Sequence, residues 1–344
     1  LSGNLFLEGP LRGQGKTYNG LYDDFSLNVV KTLDMSTSLF GLSAERIDMC
    51  GNDMEFGGGR LRLNFPQVRY GNSAGATNQG TNAVALGEMA GMTSQGFKAV
   101  AIGPEAGKTK QYGAAVAIGS LAGFTDQSDN AVGIGSSAAM TNQGKRTVAI
   151  GNESGKTNQL DEATALGNEA GKTGQGEKAV ALGSEAGSTD QLSEAIAIGF
   201  QAGHNNQGQY SIALGSLSAS SSQKTDAVAI GQQAGKTVQG LESIAIGKYS
   251  GRANQGTRSI AIGSGAAANQ GSGKEQGNYG LAMGYHAGYE SQSEYGLAIG
   301  YAAGYASQGG SAIAIGNSAA SDNTKAQGIR GIAIGKFSGN AGQR

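Results

Sequence analysis

The sequence has little of what usually holds a globular domain together. Its 344 residues include one cysteine, three prolines and no tryptophan, and aromatic residues make up only 6%. The single cysteine, Cys50, excludes an intrachain disulfide. The scarcity of proline excludes collagen despite the 61 glycines, because collagen needs glycine at every third position together with much proline. Any core must therefore be built from small aliphatic side chains.

Charge and hydropathy exclude two further classes of protein. The net charge is −1 and no basic block is present, so nucleic-acid binding has no electrostatic support. No apolar run approaches the roughly 18 residues that a membrane-spanning helix needs. The chain begins at Leu1 without a signal-peptide pattern, and we expect it to be part of a longer or processed protein.

A five-residue phrase recurs along most of the chain, and Ala99-Val100-Ala101-Ile102-Gly103 is a clean copy of it. Its closing residue, called the marker glycine below, returns every 16 residues from Gly71 to Gly263 and continues at Gly284, Gly300, Gly316 and Gly335. Gly or Ala follows the marker by four residues, Thr by six in most copies, and Gln by eight. So strict a period indicates stacked repeats.

Each repeat has the pattern of short strands separated by turns. Val and Ile alternate with Ala at the strand period of two. Two glycines per repeat would penalise a helix by roughly 1 kcal/mol each, whereas glycine readily takes the positive φ of a corner. The sequence therefore predicts an all-β fold, a parallel β-solenoid of 16-residue coils about 4.8 Å apart. About 17 such coils occupy residues 66–344.

Stacking in register would place like residues above one another as ladders. The predicted structural ladders contain Val100 with Val116, Ile102 with Ile118, Gly103 with Gly119, and the column Gln95, Gln111, Gln127 and Gln143. Stacked glutamines can hydrogen-bond side chain to side chain. The alternative is that glutamine is only a polar turn residue.

The two faces of the Val-Ala-Ile strand predict how chains associate. We expect Val and Ile to fill the thin interior, and Val68 and Tyr70 to do the same in the first coil. The alanines then form an apolar stripe on the outside. A continuous apolar stripe usually marks an association surface, and small residues allow close approach, so we predict a homotrimer.

The phrase Ala-Val-Ala-Ile-Gly followed by Ala-Gly or Ala-Ala resembles the head repeat of the YadA-like trimeric adhesins. The resemblance covers residues 68–344 and implies a left-handed parallel β-roll with three chains packed side by side. The coil here is longer than is usual in that family. The host and the receptor do not follow from the resemblance.

Residues 1–65 differ from the rest and are predicted to be a short β-rich stalk or connector that ends before Pro66. Leu33, Ile47 and Leu61 recur at a faint period of 14. The phrases Leu-Asp-Met and Ile-Asp-Met resemble repeats in fibre proteins of tailed phages and large DNA viruses, which suggests a virion fibre as the source. Two insertions in the solenoid, 271–275 and 324–326, have the composition of surface loops.

Tyrosines concentrate beside the first insertion and form three pairs 16 residues apart. They are Tyr279 with Tyr295, Tyr285 with Tyr301, and Tyr289 with Tyr305. Tyrosine suits interfaces and sugar faces, so one interpretation is a glycan or receptor patch. The other is ring stacking that stiffens the coils or fills a chain interface.

The sequence offers little to support catalysis, a metal site or a cofactor. His204 and His286 fall at turn positions without a second histidine or cysteine nearby. We predict a non-enzymatic extracellular fibre, on a virion or cell surface, that associates with itself, also end to end, and attaches to a host glycan or receptor. The alternatives are a bacterial trimeric autotransporter adhesin head and a solenoid depolymerase, which would need paired carboxylates in a cleft.

Overall fold

The computed structural model describes residues 67–268, 275–322 and 326–340, together with the backbone of Leu5–Phe6 and Leu27–Asn28. The chain divides into two units, 1–62 and 63–344. In the first unit, the strands Leu5–Phe6 and Leu27–Asn28 pair in parallel. The rest of the predicted stalk over 1–65 lies outside the described residues, as do 271–274 and 324–325 of the two insertions.

The second unit is the predicted parallel β-solenoid, and its described residues contain no helix. One sheet, the Val-Ala-Ile sheet, has seventeen described strands, which at a spacing of about 4.8 Å extend over roughly 80 Å. These strands are Gln67–Tyr70, Ala83–Leu86, Val100–Ile102, Val116–Ile118, Val132–Ile134, Val148–Ile150, Thr164–Leu166, Val180–Leu182, Ile196–Ile198, Ile212–Leu214, Val228–Ile230, Ile244–Ile246, Ile260–Ile262, Leu281–Met283, Leu297–Ile299, Ile313–Ile315 and Ile332–Ile334.

The second sheet, the Gln sheet, is made of strands of two or three residues that each end at a glutamine. They are Thr93–Gln95, Thr109–Gln111, Thr125–Gln127, Thr141–Gln143, Thr157–Gln159, Thr173–Gln175, Thr189–Gln191, Asn205–Gln207, Ser222–Gln223 and Val238–Gln239, with Ser291–Gln292 and Ser307–Gln308 further on. Isolated parallel bridges continue this column through Gln255, Gln276 and Gln327.

Like residues pair across neighbouring coils in both sheets. Val100 pairs with Val116 and Ile102 with Ile118 in parallel register. The register of the Val-Ala-Ile sheet is kept across both insertions, since Ile260 pairs with Leu281 and Ile313 with Ile332. The insertions therefore leave this sheet continuous.

The marker glycine lies where consecutive coils approach most closely. Gly103 has φ +122°, and a Cβ atom there would come within 2.8 Å of the carbonyl carbon of Gly119 in the next coil. Both the backbone conformation and the lack of space require glycine, which explains why the marker is glycine in every repeat.

The corners of each coil also contain non-glycine residues in the left-handed conformation. In one coil, Glu105, Lys110 and Ala114 have φ values of 57°, 54° and 54°. Each such residue costs roughly 1–2 kcal/mol relative to the right-handed form, so other interactions of the coil must offset several of them. The sequence did not indicate these positions, because glycine occupies them in few coils, as at Gly174 and Gly265.

Candidate functional site

The interior of each coil is thin and contains only small residues and one glutamine. In one coil it is formed by Ala99, Ala101, Ala106 and Gln111, each at most 1% exposed. The same offsets are buried in the other coils and join into continuous alanine clusters along the axis. The largest fully buried side chains of the described residues are all glutamines. The solenoid therefore has a polar column inside an alanine shell.

The glutamine side chains form a hydrogen-bonded ladder inside the coil. Gln111 Nε2 donates to Gln127 Oε1 of the next coil at 3.0 Å. The same nitrogen donates across the interior to the backbone oxygens of Val100, at 2.9 Å, and Ala115, at 3.3 Å. Because the amide spans the space between the two sheets, it sets the thickness of the coil. The glutamines are thus core residues rather than surface turn residues.

The ladder is interrupted near the insertions. It runs from Gln79 to Gln239 and again from Gln276 to Gln308. The buried Oε1 atoms of Gln255, Gln276 and Gln327 accept no hydrogen bond from another described residue. An unpaired buried acceptor costs about 1–3 kcal/mol, so these coils are the least stable part of the ladder.

The Val and Ile side chains lie on the outer face of the coil, and the prediction that they fill the interior was wrong. Ala101 is fully buried, whereas Val100 and Ile102 on either side of it remain half-exposed. In the first coil, Tyr70 is 72% exposed and Val68 is half-exposed. The glutamine and the close approach of the sheets leave the interior only enough room for alanine. The outer surface is consequently a stripe of Val, Ile and Leu instead of alanine.

The six tyrosines form stacked pairs, but the structure separates them into two groups. Tyr279 and Tyr295 stack with ring centroids 5.1 Å apart in the turn before the Val-Ala-Ile strands. The other pairs lie in the turn after the strands, with centroid distances of 5.3 Å for Tyr285–Tyr301 and 4.9 Å for Tyr289–Tyr305. A three-residue strand, about 10 Å long, separates the two groups.

The larger group also includes His286, which we assigned only to a turn. Its imidazole stacks on Tyr285 at 4.0 Å and contacts Tyr289 at 4.5 Å. Burial lowers the pKa of His286 and raises the pKa of Tyr289. Since the paired rings lie face to face, they present mainly their edges and hydroxyl groups to solvent. We call Tyr285, His286, Tyr289, Tyr301 and Tyr305 the aromatic cluster.

Comparison with known families identifies the repeat. The sequence model of the YadA head domain repeat matches two segments, residues 207–234 and 255–287. These two segments of the solenoid are similar to YadA head repeats. The other coils carry the same residues at the same offsets and have the same two-sheet structure. Comparisons with curated proteins and with solved structures gave no match.

YadA heads are adhesin-type, structural and surface-exposed modules. Among the described residues, no group of three or more His, Cys, Asp or Glu could hold a metal ion. The part of the chain that the structure describes also contains no helix long and apolar enough to cross a membrane. Cys50 lies outside the described residues.

Charged residues pair along one corner of the coils. Lys108 binds Glu105 at 2.8 Å, and Lys172 binds both Glu153 and Glu169, at 2.8 and 3.0 Å. Hydrogen bonds from Lys156 and Lys172 lower the pKa of Glu153. Pairs this exposed contribute only about 0–1 kcal/mol each.

At the corner before the Val-Ala-Ile strands, Arg258 lies next to the Tyr279–Tyr295 pair. Arg258 donates two hydrogen bonds to the Glu242 carboxylate, at 2.9 and 3.0 Å. These bonds hold the pKa of Glu242 below its usual value. The guanidinium also lies over the Tyr279 ring, 6.0 Å from its centroid. The cation next to the Tyr279–Tyr295 pair is therefore already bound to a carboxylate.

The ladder predicts that a buried amide cannot be replaced by a carboxylate. Gln159→Glu would bury a charge where Gln159 now bonds Gln175, and should cost about 3 kcal/mol or more at neutral pH. Burial raises a carboxyl pKa above its usual value of about 4.3, so the deficit should shrink as the pH falls toward that value and the group becomes neutral. Thermal melting across pH values measures this effect.

The neighbouring Asn158→Asp is the matched control for Gln159→Glu. It makes the same amide-to-carboxyl change at an exposed position and keeps the oxygen that accepts from Asn142. It should melt within a degree or so of the parent chain. Equal melting of the two variants would contradict the buried ladder.

Proposed function

We propose that the chain is a non-enzymatic attachment rod of the trimeric autotransporter adhesin type, displayed outside the cell. The observation that carries the proposal is the parallel stack of 16-residue coils in the described residues, two segments of which, 207–234 and 255–287, match the YadA head repeat. A stack of this kind has a regular interior with variable residues at its corners. Such a scaffold suits the presentation of a binding surface at a distance from its anchor.

The head-repeat match favours a bacterial adhesin over a virion fibre. The argument for a virion fibre rests on the Leu-Asp-Met phrases of residues 1–65, which lie almost entirely outside the described residues. The adhesin argument rests on the repeat itself. We therefore infer attachment to a host or other surface, with a glycan or receptor as the partner.

Self-association through the outer Val/Ile stripe is the second part of the proposal. From Ala83–Leu86 to Ile332–Ile334, the outward positions of every strand are Val, Ile, Leu or Met, with Thr164 the one exception. The stripe is thus about 75 Å long and uncharged. Monomers rarely expose a continuous apolar surface of this extent, and three copies packed around one axis would cover it.

Charges on this stripe should dissociate the trimer without unfolding the coils. Ile150→Lys with Ile198→Lys places two charges on the outer face and should convert a particle of about 100 kDa, three times the 34.5 kDa chain, into a folded monomer. Leu160→Lys with Leu192→Lys is the control, because these leucines are also exposed, 52% each, but lie in a turn off the stripe. Light scattering gives the masses. A parent chain that is monomeric, or equal behaviour of both variants, would contradict the interface.

The aromatic cluster is the surface that we propose for attachment. Tyr285→Ser with Tyr301→Ser should abolish most binding of the full chain to a printed array of neutral and acidic glycans. Serine occupies the same offset in other coils, for example Ser120 and Ser264, so the fold should be kept.

Tyr279→Ser with Tyr295→Ser controls for the loss of two exposed tyrosines. These rings are 43% and 57% exposed, close to the 47% and 56% of Tyr285 and Tyr301, and Ser311 occupies the same offset. This variant should bind as the parent does. A parent chain that binds no glycan on the array would count against the attachment function itself.

A further inference from the structure

The pairing of charges along one corner of the solenoid changes between its first and second halves. In earlier coils, a lysine five residues after the marker binds a glutamate two residues after a marker, as Lys156 binds Glu153 at 2.8 Å. The coils that begin at Gly231 and Gly247 keep the cation, as Lys236 and Arg252. Their residues at the glutamate position are Gln233 and Tyr249. These two coils thus have the cation of the earlier pairs without the glutamate.

A third cation, Lys248, joins these two, and no ion pair within the described ranges includes any of the three. Lys248 Nζ lies 5.0 Å from the centroid of the Tyr249 ring, and Arg252 Cζ lies 5.4 Å from it. Both cations are therefore held by one aromatic ring. Such contacts are worth about 0.5–1 kcal/mol at exposed sites, enough to favour one arrangement before a ligand arrives.

The next coil along the axis has small residues at the same corner. Its corner positions are Ser264, Gly265 and Ala268, where the preceding coil has Lys248, Tyr249 and Arg252. The following coil has the large side chains Tyr285, His286 and Tyr289 there. Among the described residues, the corner therefore contains a shallow notch at the small coil, between coils whose backbones are about 10 Å apart, and the His286 ring occupies part of it.

The aromatic side of the notch packs against the coil that begins at Gly263. The His286 ring lies directly over Gly265, so that a Cβ atom on residue 265 would come within 2.2 Å of His286 Cδ2. Arg252, on the cationic side of the notch, is close enough to Tyr289 to affect its ionisation. Burial raises the pKa of Tyr289, the Tyr305 hydroxyl and the Glu290 carboxylate add to that rise, and the charge of Arg252 opposes it. The cations and the aromatic cluster thus belong to one surface.

We propose that this notch, formed by Lys236, Lys248, Tyr249 and Arg252 on one side and Tyr285, His286 and Tyr289 on the other, binds an acidic sugar of a surface glycan. This inference rests on the proposed attachment function, and it adds the chemical class of the ligand. A carboxylate or sulfate on the sugar would pair with the three uncompensated cations, and Arg252 can hold either group through two parallel hydrogen bonds. The tyrosine hydroxyls and His286 provide partners for sugar hydroxyls.

An acidic glycan explains the surface better than a neutral one. A neutral sugar would use free aromatic faces, but in the cluster these faces are occupied by neighbouring rings. It would also give no reason for two consecutive coils that carry the cation without a glutamate partner. An anionic ligand supplies the charge that the repeat elsewhere supplies from its own glutamates.

The test compares two variants of the full chain that each remove three positive charges from the same edge of the repeat. The first is Lys236→Gln, Lys248→Gln and Arg252→Gln. The matched control is Lys108→Gln, Lys156→Gln and Lys172→Gln, whose lysines already have glutamate partners. Binding is measured by interferometry on immobilised polyuronate, sulfated glycosaminoglycan, neutral dextran and polyglutamate, with circular dichroism as the check of folding.

The parent chain should bind the polyuronate or the sulfated polymer, more weakly as salt rises, and leave dextran unbound. The first variant should lose about tenfold or more in affinity, as expected for charge-assisted hydrogen bonds, and the control should stay within about twofold. The relative affinity for the two acidic polymers identifies the anionic group.

Three results would overturn the proposal: equal losses in both variants, equally tight binding of polyglutamate, or no binding of either acidic polymer. A parent chain that binds glycans on the array, with its binding kept in the first variant, would refute the acidic-sugar site and leave the attachment function standing. A parent that binds no glycan at all would refute both.

Discussion

A glutamine amide that spans the interior of each coil determines the architecture. It donates to the backbone of the opposite strand and to the glutamine of the next coil, as Gln111 does toward Val100 and Gln127. A buried amide without partners would be costly, so each coil is stable only where its neighbours are in register. The same bond fixes the separation of the two sheets, which limits the rest of the interior to alanine, serine, threonine and glycine.

That restriction explains the arrangement of the outer surface. Valine and isoleucine cannot enter so thin a coil, and they form an apolar face along the axis. The corners, in contrast, accept lysine, serine, histidine or tyrosine at the same offset, as at Lys108, Ser188, His204 and Tyr289, because they do not contribute to the ladder. The interior therefore specifies the rod, the flat face suits association between chains, and the corners are free to vary for recognition.

The periodicity of the sequence was sufficient to predict the parallel solenoid, the 16-residue coil and the register of the stacked residues. It was not sufficient to decide which face of the Val-Ala-Ile strand is buried. Alternation distinguishes two faces, and the usual preference of large aliphatic side chains for the interior assigned Val100 and Ile102 to the wrong one. The deciding quantity was the thickness of the coil, which depends on a polar side chain from another strand.

The grouping of the tyrosines could not be predicted from the sequence either, because it depends on which corner of the coil each tyrosine occupies. Tyr279 and Tyr285 are six residues apart in sequence, yet a strand separates their corners. The left-handed residue between Thr109 and Gln111 was also not evident, because Lys110 is not a residue that usually marks such a position. It breaks the simple alternation of the strand, leaving Thr109 half-exposed while Gln111 is buried.

Hydrogen exchange of the glutamine side-chain amides tests the central claim most directly. In a chain labelled with nitrogen-15 at glutamine, the Nε2 protons of the ladder, such as those of Gln111, Gln127 and Gln143, should exchange as slowly as the backbone amides of the Val-Ala-Ile sheet. The exposed Gln232 provides the fast reference within the same molecule. Exchange of the ladder amides at the rate of Gln232 would contradict the buried ladder and the architecture derived from it.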